Sequence, residues 1–261
     1  MKGIGRWLLW LLLAGLALQL FFVLRIALMA VVNPQSTAFM RSEAWRIASQ
    51  RLQDDKPWRW SHQWVDADRI SPHLKRAVIA SEDAGFTTHS GVDWKAIESA
   101  WDKNLKRQAQ AEKRADELAR RQAARPGAGT ASPPASRTPK IFGGSTITQQ
   151  LAKNLLLSGE RNLMRKGQEL VLTLTLEAVL SKERILEIYL NSVEWGEGIF
   201  GAEAAAQRYF GKPAARLTAQ EAARLAVMLP SPKFFETRQG SAYLAKRTGT
   251  IVARMGAVQI P

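Results

Sequence analysis

Cysteine is absent from these 261 residues. That excludes a disulfide framework, a thiol nucleophile and a thiolate metal site, though it leaves the compartment open. Histidine is scarce, with three in the chain: His62, His73 and His89. They lack metal-ligand spacing, so no metal site built from protein ligands is expected. Acidic residues are in deficit, 23 against 37 Lys and Arg, for a net charge of +14. Such an excess points to an anionic partner, either nucleic acid or the phosphates of lipids and lipid headgroups. Strand-like alternation is nearly absent, which leaves a mostly helical body. A hydrophobic content of 46% is enough for a packed core, in one large domain or two small ones.

The first 32 residues choose between those partners. Trp7 to Leu24 is apolar except for Gln19, and Ile26 to Val32 extends the run past Arg25. A bilayer span needs about 20 apolar residues, and this stretch supplies them if Arg25 snorkels towards one interface. Lys2 and Arg6 precede the run, so the positive-inside rule puts the N-terminus in the cytoplasm and the remainder outside, with Arg25 and Arg41 weakening the signal. A cleaved signal peptide is the competing reading. The run exceeds the usual apolar core of roughly 7–15 residues and lacks a clear small-x-small cleavage site, which favours an uncleaved anchor. The expected organisation is an anchor over 1–33, a juxtamembrane segment over 34–69 and a catalytic-size domain over 70–261. Trp45, Trp58, Trp60 and Trp64 punctuate the second of these, either at the membrane boundary or as ordinary core residues.

Ser71-Pro72 is a helix start, with Ser as N-cap and Pro at the first helical position. Ile70, Leu74, Ala77 and Val78 line one face of that helix, which leads into Ser81-Glu82-Asp83. Glu82 falls close to the buried side, where desolvation raises a carboxyl pKa and makes a better base. An exposed acid pair at a helix end is the plain alternative. Residues 102–140 differ: ten basic and four acidic residues give a net of +6, and 125–139 are rich in Pro, Ala, Ser and Gly. A polar helix over 103–124 and a flexible stretch over 125–139 are expected, together a solvated insertion.

Gly143–Leu155 reads GGSTITQQLAKNL. If Thr148 starts a helix, Gln149 and Lys153 share one face, with Gln150 and Asn154 stacked beside them. Hydroxyls, amides and an ammonium then stand together, suited to a ligand with sugar hydroxyls and phosphates. A well-capped surface helix would read the same way. Downstream, 163–180 is a helical stretch in which Leu163, Leu170, Leu174 and Ala178 supply an apolar stripe, and Arg165, Lys166 and Glu169 fall within one turn. Ser181 caps a second helix carrying Ile185, Ile188 and Tyr189. Trp195 to Gly198 is a tight turn, and Thr218 to Glu221 is a capping box whose helix ends before Pro230. Leu244, Ile251, Val252 and Met255 mark a last amphipathic helix.

These motifs resemble the peptidoglycan glycosyltransferases, the family that includes the polymerising domain of class A penicillin-binding proteins. Its ED-x-x-F-x-x-H-x-G appears as Glu82, Asp83, Phe86, His89 and Gly91. G-x-S-T-I-T-Q-Q-L-x-K-N runs intact from Gly143 to Asn154, and R-K-x-x-E matches Arg165, Lys166 and Glu169. K-x-x-I-L-E-x-Y-L-N is met from Lys182 to Asn191, and W-G-x-G-x-x-G starts at Trp195. No serine is followed by lysine three positions on, so the transpeptidase signature is missing and the similarity is to the monofunctional members. The family's loop between Trp101 and Gly143 is much shorter.

The resemblance implies a mainly α, lysozyme-like glycosyltransferase domain behind one transmembrane helix. It implies polymerisation of lipid II, a disaccharide-pentapeptide on undecaprenyl pyrophosphate, outside the cytoplasmic membrane. Partners would be lipid II, the growing glycan strand, membrane phospholipid and other cell wall synthesis or division proteins, with no nucleic acid. Glu82 would be the general base, and Glu169 the second essential acid. Asp83, Ser145, Thr146, Gln149, Gln150, Lys153, Asn154, Arg161, Arg165 and Lys166 would bind substrate, with Lys153 and Arg161 on the donor phosphates. No cofactor is required by the sequence, though Mg2+ or another divalent cation could serve at the pyrophosphate. Two other classes fit parts of the pattern: a lysozyme-like peptidoglycan-cleaving enzyme and a catalytically idle membrane scaffold.

Overall fold

The computed structural model describes residues 2–54, 59–123, 144–157 and 163–261. Trp58, the stretch 125–139 expected to be flexible, Gly143 and Arg161 lie outside the described residues. In chain order the helices are α1 (Lys2–Leu28), α2 (Ala38–Asp54), α3 (Pro72–Glu82), α4 (Trp94–Ala123), α5 (Ile147–Leu156) and α6 (Leu163–Val179). They continue with α7 (Lys182–Ser192), α8 (Ala202–Phe210), α9 (Ala219–Met228), α10 (Pro232–Glu236) and α11 (Ala242–Met255). Three short strands, β1 (Ser61–His62), β2 (Glu194–Gly196) and β3 (Ile199–Phe200), make a sheet of order β1-β3-β2.

The chain divides into two compact units, Met1–Val92 with Thr146–Pro261, and Asp93–Ser145. In the second unit α4 is continuous from Trp94 to Ala123, so no helix boundary falls at 102–103 as the composition suggested. Its side chains are mostly exposed, as a helix with so few apolar residues must be.

In the first unit, α3, α9 and α11 pack on one another, and α5 packs against α6 and α7. Local signals start α3, α7 and α9 where the sequence put them. Ser71 Oγ accepts from His73 N at 3.2 Å with Pro72 at the first position of α3, Ser181 Oγ accepts from Arg184 N at 3.2 Å at the start of α7, and Thr218 forms a capping box with Glu221 ahead of α9. Leu74, Ala77, Val78 and Ile79 of α3 are fully buried; a buried Leu or Ile stabilises by roughly 1.5–3 kcal/mol. Trp195 to Gly198 is the predicted turn, now seen as the β2–β3 hairpin. Gly198 has φ +68°, and a Cβ there would stand 2.1 Å from the Arg59 carbonyl oxygen, so glycine is required.

One stripe was assigned to the wrong face. On α6 the core receives Glu169, Leu172, Thr173, Leu176 and then Leu180, whereas Leu170 and Leu174 are exposed along with Val171, and so is Ala178. The helix is apolar on two sides, and periodicity alone cannot say which side meets protein. Trp60 and Trp64 pack on the body, Trp60 against Phe200 at a centroid separation of 4.9 Å and Trp64 under Arg184, while Trp45 is exposed. α1 contains 26 residues, Gly3–Leu28, long and apolar enough to cross a membrane, with mean hydropathy 2.3.

Candidate active site

The end of α3 turns two adjacent acids to different tasks. Glu82 closes the helix and Asp83 is its C-cap, with backbone φ −162°, ψ 74°. Leaving the helix at that point sends the two carboxylates apart. Asp83 goes inward: it is buried, Oδ1 accepts from His89 Nε2 at 2.9 Å, and Oδ2 accepts from the Ile147 backbone N–H at 3.0 Å. The Gly91 N–H donates to His89 Nδ1 at 3.2 Å, so the neutral ring carries its hydrogen on Nε2, facing Asp83. Asp83 therefore ties the end of α3 to the first turn of α5.

Glu82 stays partly open. Its Oε2 accepts from Gln150 Nε2 at 3.0 Å, and Ser81 Oγ lies 3.5 Å from Oε1. Burial pushes its carboxyl above the ordinary carboxylate range, although the Gln150 amide pulls the other way. Gln150 is itself fixed, because Tyr189 OH donates to its Oε1 at 3.0 Å. Tyr189 is almost fully buried, and its phenol is held protonated by burial and by the nearby Glu82 and Asp83. With its oxygen taken by the phenol, the Gln150 amide must present N–H to Glu82.

The helix carrying Gln150 begins at Ile147, one residue earlier than a Thr148 start would put it. Thr146 is the N-cap of α5, its Oγ1 accepting from Gln149 N at 3.1 Å and donating to the Gly91 carbonyl at 2.6 Å. Gln149 curls back, Oε1 accepting from Thr146 N at 3.0 Å, and is buried. The predicted shared face of Gln149 and Lys153 is thus not presented together: Gln149 caps its own helix and Lys153 is exposed, with Asn154 half-buried. Thr148 is buried and donates to Glu177, which also takes Lys182 Nζ at 2.8 Å. Gly91 sits beside this pair with φ +86°, where a Cβ would come within 2.8 Å of both Glu177 and Thr173. Ser145 is exposed and ends the second unit.

On the first turns of α6, Glu169 is buried between two cations. Lys166 Nζ donates to its Oε1, and Arg165 Nη1 lies 3.6 Å from its Oε2. The carboxylate's charge is matched while Lys166 keeps more than half its side chain in solvent, at 56%. Such an arrangement can meet an anionic group.

Sequence reasoning did not single out Glu177 or Tyr189 for the site. Tyr189 was visible as an apolar position at helical spacing and as the tyrosine of the K-x-x-I-L-E-x-Y-L-N motif, neither of which gave it a role in the site. A further cluster was missed altogether: Lys233 of α10 contacts Glu43 of α2, Glu194 Oε1 of β2 and Glu197 Oε2, the last two at 3.4 Å. The three carboxylates converge closely enough to hold a metal ion, but Lys233 already stands among them and Arg46 binds both Glu43 and Glu197.

Comparison with known proteins follows the same blocks. The chain matches the family model described as Transglycosylase over residues 50–114 and 131–256. The biosynthetic peptidoglycan transglycosylase of Burkholderia orbicola is 50% identical over 248 residues, covering 95% of this chain and 87% of the relative. Those of Burkholderia vietnamiensis and Burkholderia thailandensis are each 49% identical, over 99% and 100% of this chain and 94% and 90% of their own lengths. A match through both arms of the Glu82 site, at half identity along nearly the whole chain, makes this protein a member of the transglycosylase family.

Proposed function

We propose that this chain polymerises lipid II into glycan strands for cell wall synthesis, by glycosyl transfer with inversion and release of undecaprenyl pyrophosphate. The relatives named biosynthetic peptidoglycan transglycosylase support peptidoglycan polymerisation. The observation that carries the chemistry is the Gln150–Glu82 hydrogen bond. It joins the acidic motif at the end of α3 to the TQQ motif on α5; burial raises the carboxyls of both Glu82 and Asp83, and Glu82 is the one left partly open to act as base. Glu82 takes the proton of the acceptor sugar hydroxyl as that oxygen attacks the donor's anomeric carbon. The departing pyrophosphate is a weak base, so it needs positive charge rather than a proton donor. Lys153, Arg165 and Lys166, with Arg161, supply that charge, and Glu169 orders the cations. A divalent cation such as Mg2+ would meet Glu169 already engaged on both oxygens, so pyrophosphate and water would provide most of its ligands.

α1 is the membrane anchor, with its N-terminus in the cytoplasm and the catalytic body on the outer side, where lipid II is presented. The exposed Leu170, Val171 and Leu174 of α6 suit contact with the lipid surface.

The test is purified full-length protein with lipid II in liposomes. Polymer is expected from the wild type, and Glu82→Gln should lower the rate by about 10²–10⁴-fold while leaving the fold intact. Because Glu82 must be ionised to act, wild-type activity should rise with pH through an acid limb above the ordinary carboxylate range. Release of cut strands would favour a hydrolase, and no reaction would favour a scaffold.

A further inference from the structure

Gln19 is the sole polar side chain between Trp7 and Leu24 of the span. It meets Gln168 of α6 twice. Gln19 Nε2 donates to Gln168 Oε1 at 2.9 Å, and Gln168 Nε2 donates back to Gln19 Oε1 at 3.3 Å. A reciprocal amide pair gives each partner a donor and an acceptor, which is what an apolar environment demands of a polar group. A second joint closes the C-terminal end of α1. Arg184 of α7 donates through Nε to the Met29 carbonyl at 2.8 Å and through Nη2 to Asn33 Oδ1 at 2.7 Å. Between the joints, Ile26 and Met29 are buried in the core and Phe22 packs against it. Positions 19, 22, 26 and 29 follow one helical face. The opposite face, with Leu16, Leu20 and Leu24, is exposed. The span therefore meets the body along one defined stripe.

Gln168 immediately precedes Glu169, and Lys166 and Arg165 lie within a turn on the same helix. A rotation of α1 against α6 would shift that cation cluster relative to the membrane. We propose that Gln19 and Gln168 are positioning residues: they lock the span to α6 in one rotation and so hold the Arg165–Lys166–Glu169 cluster at a set height above the bilayer. The inference rests on the proposed polymerisation of a lipid-borne donor. That donor's tail fixes the depth of its pyrophosphate, so the protein must meet it at the same depth. Misplacement by about 1 Å can cost on the order of 10²-fold in rate, and one turn of helical slip is roughly 5.4 Å.

Two experiments test it, the first independent of activity. The chain has no cysteine, so Gln19→Cys with Gln168→Cys introduces the only two thiols. A short thiol-to-thiol cross-linker should join them in membranes, and should not join Leu20→Cys to Gln168→Cys, since Leu20 is exposed on the opposite face. Equal cross-linking of both pairs, or of neither, overturns the docking. The second experiment compares Gln168→Leu with wild type on two substrates: lipid II in liposomes, and the same disaccharide-pentapeptide pyrophosphate on a short water-soluble prenyl chain. A drop of roughly tenfold or more is expected in liposomes, with an unchanged rate on the soluble substrate. Loss on both substrates would make Gln168 an ordinary structural residue, and loss on neither would leave the docking without catalytic consequence; either result overturns the proposal. Failure of the wild type to polymerise lipid II would instead sink the functional reading, while the cross-linking result would still stand or fall by itself.

Discussion

Glu82 and Asp83 are neighbours in sequence whose carboxyls are both raised by burial, yet they differ in exposure and in partners. Asp83 is buried with both oxygens taken, one by a side chain and one by a backbone N–H. Glu82 shares one oxygen with an amide and faces outward enough to reach a substrate. Tyr189 sets that amide from behind, so Tyr189→Phe should act on catalysis without touching substrate. Losing the phenol removes a hydrogen bond worth about 0.5–1.5 kcal/mol and frees Gln150 to rotate. When Gln150 turns its oxygen towards Glu82, the carboxylate loses the donor that lowered its pKa. Turnover of lipid II should fall by about 2- to 10-fold, and the acid limb of the pH profile should move to higher pH. A lower rate with an unmoved limb would show that Tyr189 acts through packing alone. The acid pair was legible from the sequence as a pair. Which acid faces inward was not, because the C-cap dihedral of Asp83 decides it and the partner N–H comes from Ile147, 64 residues away.

Among the elements, α2, the β2–β3 hairpin and α10 meet around Lys233. Burial pushes the Glu194 carboxyl up to about 7, against the pull of Lys233 and with Glu43 and Glu197 adding repulsion. Arg46 binds Glu43 and Glu197, so three carboxylates face two cations. A carboxyl whose folded pKa lies above its unfolded value destabilises the fold as pH rises through the interval between the two. Glu194→Gln removes that group. The variant should melt higher than wild type at about pH 8, with the gain shrinking as pH falls below about 7 and vanishing near the ordinary carboxylate pKa. A melting difference that stays constant across that range would mean the burial of Glu194 has no linked proton. None of this was visible in the chain, since Glu43 and Lys233 stand 190 residues apart. The α6 stripe failed for a related reason: Leu170 and Leu174 read as well as Leu172 and Leu176 until the neighbours are known.

For the whole molecule, the unit Asp93–Ser145 carries the basic stretch that the composition marks as an insertion. The family match breaks between residues 114 and 131. α4 shows mostly exposed, polar side chains. Removal of 107–138, rejoined by a short Gly/Ser linker, should therefore leave the melting temperature of the body nearly unchanged, since loop length alone costs only about 0.6 kcal/mol per doubling. The same deletion should still polymerise lipid II. A collapse in melting would make the segment part of the core, and a normal melt without activity would make it part of the acceptor machinery.

What the sequence determined by itself is what depends on neighbours in the chain. The caps at Ser71, Ser181 and Thr218 form hydrogen bonds within three residues, the apolar run of α1 needs only length and hydropathy, and the ordered motifs identify the mainly α, lysozyme-like family. What only the tertiary structure decided is which of two similar side chains does which work. Gln149 turns back to its own N-cap while Gln150, one residue and about 100° of helix further on, reaches from Tyr189 to Glu82. Gln19 looked like a flaw in an apolar run until Gln168 was found beside it. Gln149 answers to Thr146, three residues back, but Gln150 and Gln19 are fixed by partners 39, 68 and 149 residues away, and a hydrogen bond of that kind leaves no periodic trace in the chain.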